Sequence, residues 1–369
     1  MRDRIAGEFR DRMGRQASLL VRAPGRVNLI GDHTDYNDGF VLPAAIRQAT
    51  WIAVAPRPDR IVRLHSVEEG SATIDLDALQ PVHGWADYVA GTIWALEPIE
   101  YGFDAVIGTT IPVGAGLSSS AALEMGTARL VAELEGRQWD PVGAALAGRR
   151  AENDFVGMPC GIMDQLIVAT AQPGAASLID CRSLDMTPAP VPAGVIIVIL
   201  DSGTRRRLVS SAYEDRRVAC ERVAAALGVP ALRDATTAMV DAAQIDAIDR
   251  RRAIHVISEN ARTRAMASAL HDGNAAAAGG LMNESHASLR NDYAVSSPEL
   301  DVMAEIARSE PSCLGARMTG AGFAGCAVAL VERDHVDDFQ DAVERRHAAE
   351  TGRRAALYPT EASEGVMVM

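Results

Sequence analysis

The chain has 369 residues, 36 basic and 49 acidic side chains, a net charge of −13 and 48% hydrophobic residues. This excludes a disordered chain, makes two domains of about 100–200 residues each the expectation, and argues against nucleic acid or an anionic membrane as partner. All 36 basic residues are arginine, which excludes a Walker A loop, Schiff-base chemistry and any kinase mechanism that needs a catalytic lysine. Phosphate, if handled, must be met by backbone amides, arginine and a metal.

Residues 1–17 have Ile5, Phe9 and Met13 at helical spacing. Ser18 to Arg22 is strand-like and runs into the turn Ala23-Pro24-Gly25. Trp51 to Pro56 and Ile61 to His65 read as a strand pair around a Pro/Asp turn. A helix at Asp87 to Leu96 and a strand at Phe103 to Thr110 follow, then a Gly-rich loop and a helix from Leu117 to Glu135. Pro141 to Val156 is helical, and Ala175 to Asp180 and Val195 to Asp201 are strands. Between those strands, Pro188, Pro190 and Pro192 mark a domain boundary, placed at 187/188. The second half is mainly helical: Ser211 to Leu227, Asp249 to His271, Asn274 to Asp292 and Ser297 to Arg308. Strands return at Gly315 to Thr319 and Cys326 to Glu332, then a helix at His335 to Ala349 and a last strand near Gly365 to Met369 that could rejoin the first domain. Short strands alternating with helices indicate α/β or α+β packing. Five cysteines without CxxC spacing argue against a disulfide framework or a zinc site. The N-terminus has no apolar signal core, and no apolar run can span a bilayer, so a cytoplasmic protein is expected.

Three stretches carry chemistry. In Pro112 to Ala122, Gly114 and Gly116 permit left-handed backbone, and Ser118, Ser119 and Ser120 stand at a helix N-terminus. That terminus suits an anion, and the hydroxyls can bind phosphate, ligate Mg²⁺ or simply cap the helix. In Arg22 to Asn37, a short apolar strand is flanked by Arg26 and by Asp32-His33-Thr34-Asp35-Tyr36. Paired carboxylates with His and Arg suit a polyhydroxylated ligand, and a solvated turn is the plain alternative. In Ala151 to Gln165, Asp164 stands among Ile162, Met163 and Leu166. A carboxylate there needs a partner, and is either functional or the N-cap of the next helix.

Together with Gly315 to Cys326, these stretches resemble the GHMP kinase superfamily and, within it, the galactokinases. The resemblance spans nearly the whole chain. It implies an α+β, two-domain GHMP kinase fold: an N-terminal domain (1–187) like ribosomal protein S5 domain 2 and a ferredoxin-like C-terminal domain (188–369). It implies Asp164 and Arg26 as catalytic, and Asp32, His33, Asp35, Gly161 and Tyr213 as sugar-binding. Trp85 matches an adenine-packing aromatic; Gly114, Gly116, Ser118, Ser119 and Ser120 match the phosphate loop; Ser120 and Glu152 match ligands of Mg²⁺. The implied reaction is transfer of the ATP γ-phosphoryl group to the anomeric hydroxyl of galactose, by a monomer without nucleic acid or membrane partners. A kinase for another sugar, such as galacturonic acid or an N-acetylated sugar, and a non-catalytic sugar sensor are the alternatives.

The chain departs from the family pattern in three places. Asp32 stands where most galactokinases have Glu, one methylene shorter. Ala321 and Ala324 stand where Gly is usual, and strain is expected if their backbone needs positive φ. In Ser202 to Leu208, Arg205 keeps the family arginine, while Arg206 and Arg207 replace His and Ser and could face a sugar carboxylate.

Overall fold

The computed structural model describes residues 1–96, 98–112, 114–205 and 210–369; Arg206 and Arg207 lie outside the described residues. The first half carries α1 (Arg2–Met13), β1 (Leu19–Asn28), β2 (Phe40–Val41), β3 (Pro43–Pro56), β4 (Ile61–Ser66), β5 (Gly70–Asp75), α2 (Asp87–Ala95), β6 (Phe103–Thr109), α3 (Ser119–Leu134), α4 (Pro141–Arg150), α5 (Met163–Thr170), β7 (Ala175–Asp180) and β8 (Met186–Pro190). The second half carries β9 (Val195–Asp201), α6 (Ser210–Leu227), α7 (Thr237–Ala242), α8 (Ala247–His271), α9 (Ala275–Asn291), α10 (Pro298–Ser309), β10 (Cys313–Met318), β11 (Cys326–Glu332), α11 (Val336–Thr351), β12 (Ala356–Thr360) and β13 (Met367–Val368).

The largest sheet has the order β13-β1-β3-β6-β4-β5. Its central strands are buried on both faces because side chains alternate between two cores. Ala53 and Ala55 of β3 meet Ile5 and Phe9 of α1, while Ile52 and Val54 join the main core with Ala121, Ala122 and Met125 of α3. Each fully buried Ile or Phe there stabilises by about 1.5–3 kcal/mol. The Ala-rich face of α3 lets the helix lie close on the sheet. The two strands expected as a pair, β3 and β4, are not neighbours: β6 lies between them, antiparallel to β3 and parallel to β4. The Pro-rich stretch read as a linker contains β8, which pairs with β7 in a small sheet ordered β2-β7-β8.

The second half follows β9, helices α6–α10, β10, β11, α11, β12, and its sheet is wholly antiparallel in the order β10-β11-β9-β12. That succession and order is the ferredoxin-like arrangement. The last strand, β13, pairs with β1 in the first sheet. The five cysteines are free. No described helix is long and apolar enough to cross a membrane.

Candidate active site

A cavity of about 560 Å³ lies where β1, the loop before α3, the loop before α5, the start of α6 and the β10–β11 loop converge. Its centre is an ion pair set up by the backbone of β1. The strand changes register between Pro24 and Arg26, and such a bulge re-aims the side chain that follows. Gly25 is required there: a Cβ would meet the Leu117 carbonyl at 2.7 Å. The loop 114–118 therefore presses onto β1, and the Arg26 amide donates to Leu117 O at 3.1 Å.

Arg26, almost fully buried, grips Asp164 with two hydrogen bonds, Nε to Oδ1 at 2.8 Å and Nη2 to Oδ2 at 2.7 Å. Its Nη1 donates to Gly116 O at 2.7 Å. Ser118 Oγ donates to Asp164 Oδ2 at 2.5 Å. Asp164 lies in the first turn of α5 but does not cap it; its partners come from β1 and the α3 loop, and its side chain keeps 27% exposure. The apolar surroundings expected for it are thus replaced by a charge-assisted, bidentate clasp.

The loop before α3 has the backbone expected of a phosphate cradle. Gly114 and Gly116 both have positive φ, and Ser118 at the N-cap position is left-handed with no side-chain cap. Ser119 and Ser120 open the helix and line the cavity.

On another wall of the cavity, Asp35 sits in the first turn of a short 3₁₀ helix, Asp35–Asn37, with its carboxylate against Gly161. A Cβ at residue 161 would fall 1.7 Å from Asp35 Oδ2, so only glycine fits. Burial, and next the nearby Asp164, push the Asp35 carboxyl up to about 7. Asp32 is buried; Arg317 donates to Oδ2 at 2.5 Å and Asn28 Nδ2 to Oδ1 at 3.0 Å. Its burial raises its pKa, and Arg317 offsets part of that. His33 has left-handed backbone, Nδ1 at 2.8 Å from Tyr36 Oη and Nε2 at 3.2 Å from Ala321 O. Tyr213 of α6 closes this side, its ring centroid 5.7 Å from His33 and 5.2 Å from Tyr36.

A second acidic centre adjoins the loop. Glu152 stands on a π-helical turn, Ala151–Val156, that continues α4, and such turns often carry functional side chains. Gln165 Nε2 donates to Glu152 Oε2 at 2.8 Å and to the buried Glu124 Oε2 at 2.9 Å. Cys160, Gln165 and Ser120 lie close enough to Glu152 to favour its ionised form in part. Burial raises both carboxyls; Glu152 and, more weakly, Asp164 raise Glu124 further, and Asp164 raises Glu152. Glu124 Oε1 is buried without a hydrogen-bond partner. Among the described residues neither glutamate has an ion-pair partner.

Several cleft residues had no place in the sequence-level site. Arg205, bound to both oxygens of Asp201 at 2.7 and 2.8 Å, leans on Gly114 and lines the cavity. Tyr88 also lines it, whereas Trp85 is half-buried against the main core and outside the lining. Arg317, Glu124 and Gln165 were invisible as partners because the Arg317–Asp32 and Gln165–Glu124 bonds join residues 285 and 41 positions apart; only the oddity of a Glu inside an Ala/Leu helix signalled one of them. In the β10–β11 loop the left-handed positions are Gly320, Gly322, Phe323 and Gly325. Ala321 and Ala324 are not among them, so the strain expected at the two alanines falls on Phe323 instead.

Residues 7–56 match the galactokinase galactose-binding signature, 87–172 the GHMP kinases N-terminal domain, and 266–349 the GHMP kinases C-terminal model. A galactokinase of Roseiflexus sp. (strain RS-1) is 44% identical over 98% of this chain and 96% of its own. The Lactococcus lactis galactokinase complexed with galactose superposes with a TM-score of 0.94 at 34% identity, covering 98% of both chains. A Methanococcus jannaschii mevalonate kinase shares the fold alone, with a TM-score of 0.68 at 17% identity over 94% of this chain and 98% of that one. A glycine-turned loop at a helix N-terminus, an arginine-clasped aspartate and a pocket of buried carboxylates thus stand on a chain that belongs to the galactokinase family of the GHMP kinases.

Proposed function

We propose that this chain transfers the γ-phosphoryl group of ATP to the anomeric hydroxyl of galactose, with Arg26 and Asp164 at the reacting centre. The observation that carries this reading is the two-point Arg26–Asp164 pair, set between the phosphate loop and the carboxylates of the galactose signature. Phosphoryl transfer depends mainly on positioning and on neutralising oxygen charge. The amides of residues 114–120 hold the phosphates, and Arg26 offsets charge developing on the transferring group. Asp164 accepts the hydroxyl's hydrogen bond and orients it, or takes its proton. Asp35 and Asp32 accept from the sugar's other hydroxyls, and Tyr213 covers them.

The residues present fit a Mg²⁺ ion. Among the described residues the cavity's lining offers two arginines, Arg26 and Arg205, each already matched by an aspartate, against four acids, Asp32, Asp35, Glu152 and Asp164. Such a lining does not neutralise a nucleotide polyphosphate. Glu152 and Ser120 present hard oxygen donors beside the loop, and no group of three or more acidic, His or Cys residues forms a closed metal cage among the described residues. One or two protein ligands beside the phosphates is the usual manner of Mg²⁺. Held by Glu152 and Ser120, such an ion would supply charge neutralisation for the phosphates.

The test is ADP release with ATP over galactose, glucose, galacturonate and N-acetylgalactosamine. A pocket that pairs hydroxyls with buried carboxylates rejects an epimer that leaves them unpaired by up to about 10⁴–10⁵-fold. Galactose should therefore give the highest kcat/KM. A higher value for galacturonate would remove galactose as the substrate while leaving the phosphoryl chemistry in place.

A further inference from the structure

Ser118 is spent in an unexpected way. Its hydroxyl neither caps α3 nor opens freely toward a phosphate, but donates to Asp164 Oδ2 at 2.5 Å. It does so from a left-handed backbone, φ 58° and ψ 50°, where a non-glycine residue is disfavoured. The surrounding structure holds it there. Leu117 O is taken by the Arg26 amide and Gly116 O by Arg26 Nη1, so the arginine that aligns Asp164 also fastens the loop bearing Ser118.

A carboxylate has about four acceptor positions, two on each oxygen. Arg26 Nε occupies one on Asp164 Oδ1, Arg26 Nη2 one on Oδ2, and Ser118 the second on Oδ2. Among the described residues one position stays open, on Oδ1. We propose that Ser118 is a positioning residue, which closes Oδ2 and so directs the sugar's reacting hydroxyl to Oδ1 of Asp164. The inference rests on Asp164 being the group that meets this hydroxyl. It gives the first serine of the loop a task on the acceptor side of the reaction, leaving its backbone amide for the nucleotide. It also ties loop and carboxylate into one unit, so that a loop correctly seated on phosphate presents a correctly turned Asp164.

Ser118→Gly separates hydroxyl from backbone, because glycine accepts the left-handed conformation readily. The expected result is a fall in kcat of about 10–100-fold, the range for losing a hydrogen bond to a charged group. The galactose KM, the ATP Kd and the Tm should stay near those of the parent. In an Asp164→Asn background, followed by single turnover at high enzyme concentration, Ser118→Gly should change the residual rate by less than about threefold, because residues acting through one another are non-additive. A kcat within threefold of the parent in the single variant overturns the proposal. So does an ATP Kd that weakens in step with kcat, which would make the hydroxyl a phosphate ligand. Near-normal turnover in Asp164→Asn alone overturns the underlying reading of Asp164, and the inference with it.

Discussion

Asp164 and Glu152 face the same cleft from consecutive stretches of chain, yet their charges are balanced in opposite ways. Asp164 is held by a buried arginine at two points and by a serine, with 27% of its side chain left open. Glu152 takes a hydrogen bond from the neutral Gln165 amide, has no ion-pair partner among the described residues, and feels the charge of Asp164. Partly desolvated charge is tolerable when paired and costly when not. The first carboxylate is therefore complete in the protein and ready to orient a substrate hydroxyl. The second is incomplete. On the reading proposed above, a chain without lysine would divide the work accordingly: arginine would serve the aspartate, and a divalent ion would serve the glutamate and the phosphates.

The largest effect expected is at the completed centre. Asp164→Asn leaves Arg26 buried without its counter-charge and removes the acceptor, so kcat should fall about 10³-fold, in the range of a general base. Nucleotide Kd, measured by calorimetry, should move little. Turnover within tenfold of the parent would end the distinction between the two centres.

Gly161→Ala sharpens the comparison from the sugar side. The added methyl would fall 1.7 Å from Asp35 Oδ2 and drive that carboxylate out of place. An increase of about 10–100-fold in galactose KM is expected, the scale of losing a charge-assisted hydrogen bond. ATP Kd should hold. An unchanged KM would take Asp35 out of sugar binding.

A smaller, pH-dependent effect should appear in stability. The Asp35 carboxyl is raised from 3.8 to about 7 by burial, and next by Asp164. A raised acid folds preferentially protonated, so its ionised form costs stability that grows from pH 4 upward and is complete above pH 7. Asp35→Asn should thus raise Tm by about 2–4 °C at pH 8 and leave it unchanged near pH 4. Galactose affinity in the parent should weaken as pH falls through 7. Equal Tm differences at both pH values would mean that the site does not hold Asp35 as a strained charge.

Local pattern carried much of this molecule. The strands at Ala175–Asp180, Val195–Asp201 and Cys326–Glu332 have the bounds their apolar runs suggest, because such runs between turn residues leave little choice. The left-handed turns of the loop before α3 were readable from Gly114 and Gly116. Pairing was not readable. β6 separates β3 from β4 through contacts between distant segments, and β8 forms despite Pro188 and Pro190 because it sits at the edge of its small sheet. In the site, residue types were legible and partners were not. Asp164 reads as a carboxylate in an apolar run until β1 brings Arg26 to it, and Asp32 reads as a free sugar ligand until β10 brings Arg317. Phe323 shows the same limit, since its left-handed backbone follows from how the β10–β11 loop lies against the Val295 carbonyl rather than from its own preference.

The division between the two carboxylates is tested most directly by Mg²⁺ titration of nucleotide binding in Glu152→Gln and Asp164→Asn, with binding rather than turnover as the readout. Glu152→Gln should raise the Mg²⁺ concentration for half-maximal ADP binding about tenfold, the scale of losing one charged ligand or its support, while Asp164→Asn should leave it where it is in the parent. Equal shifts in both variants, or a shift confined to Asp164→Asn, would contradict the account.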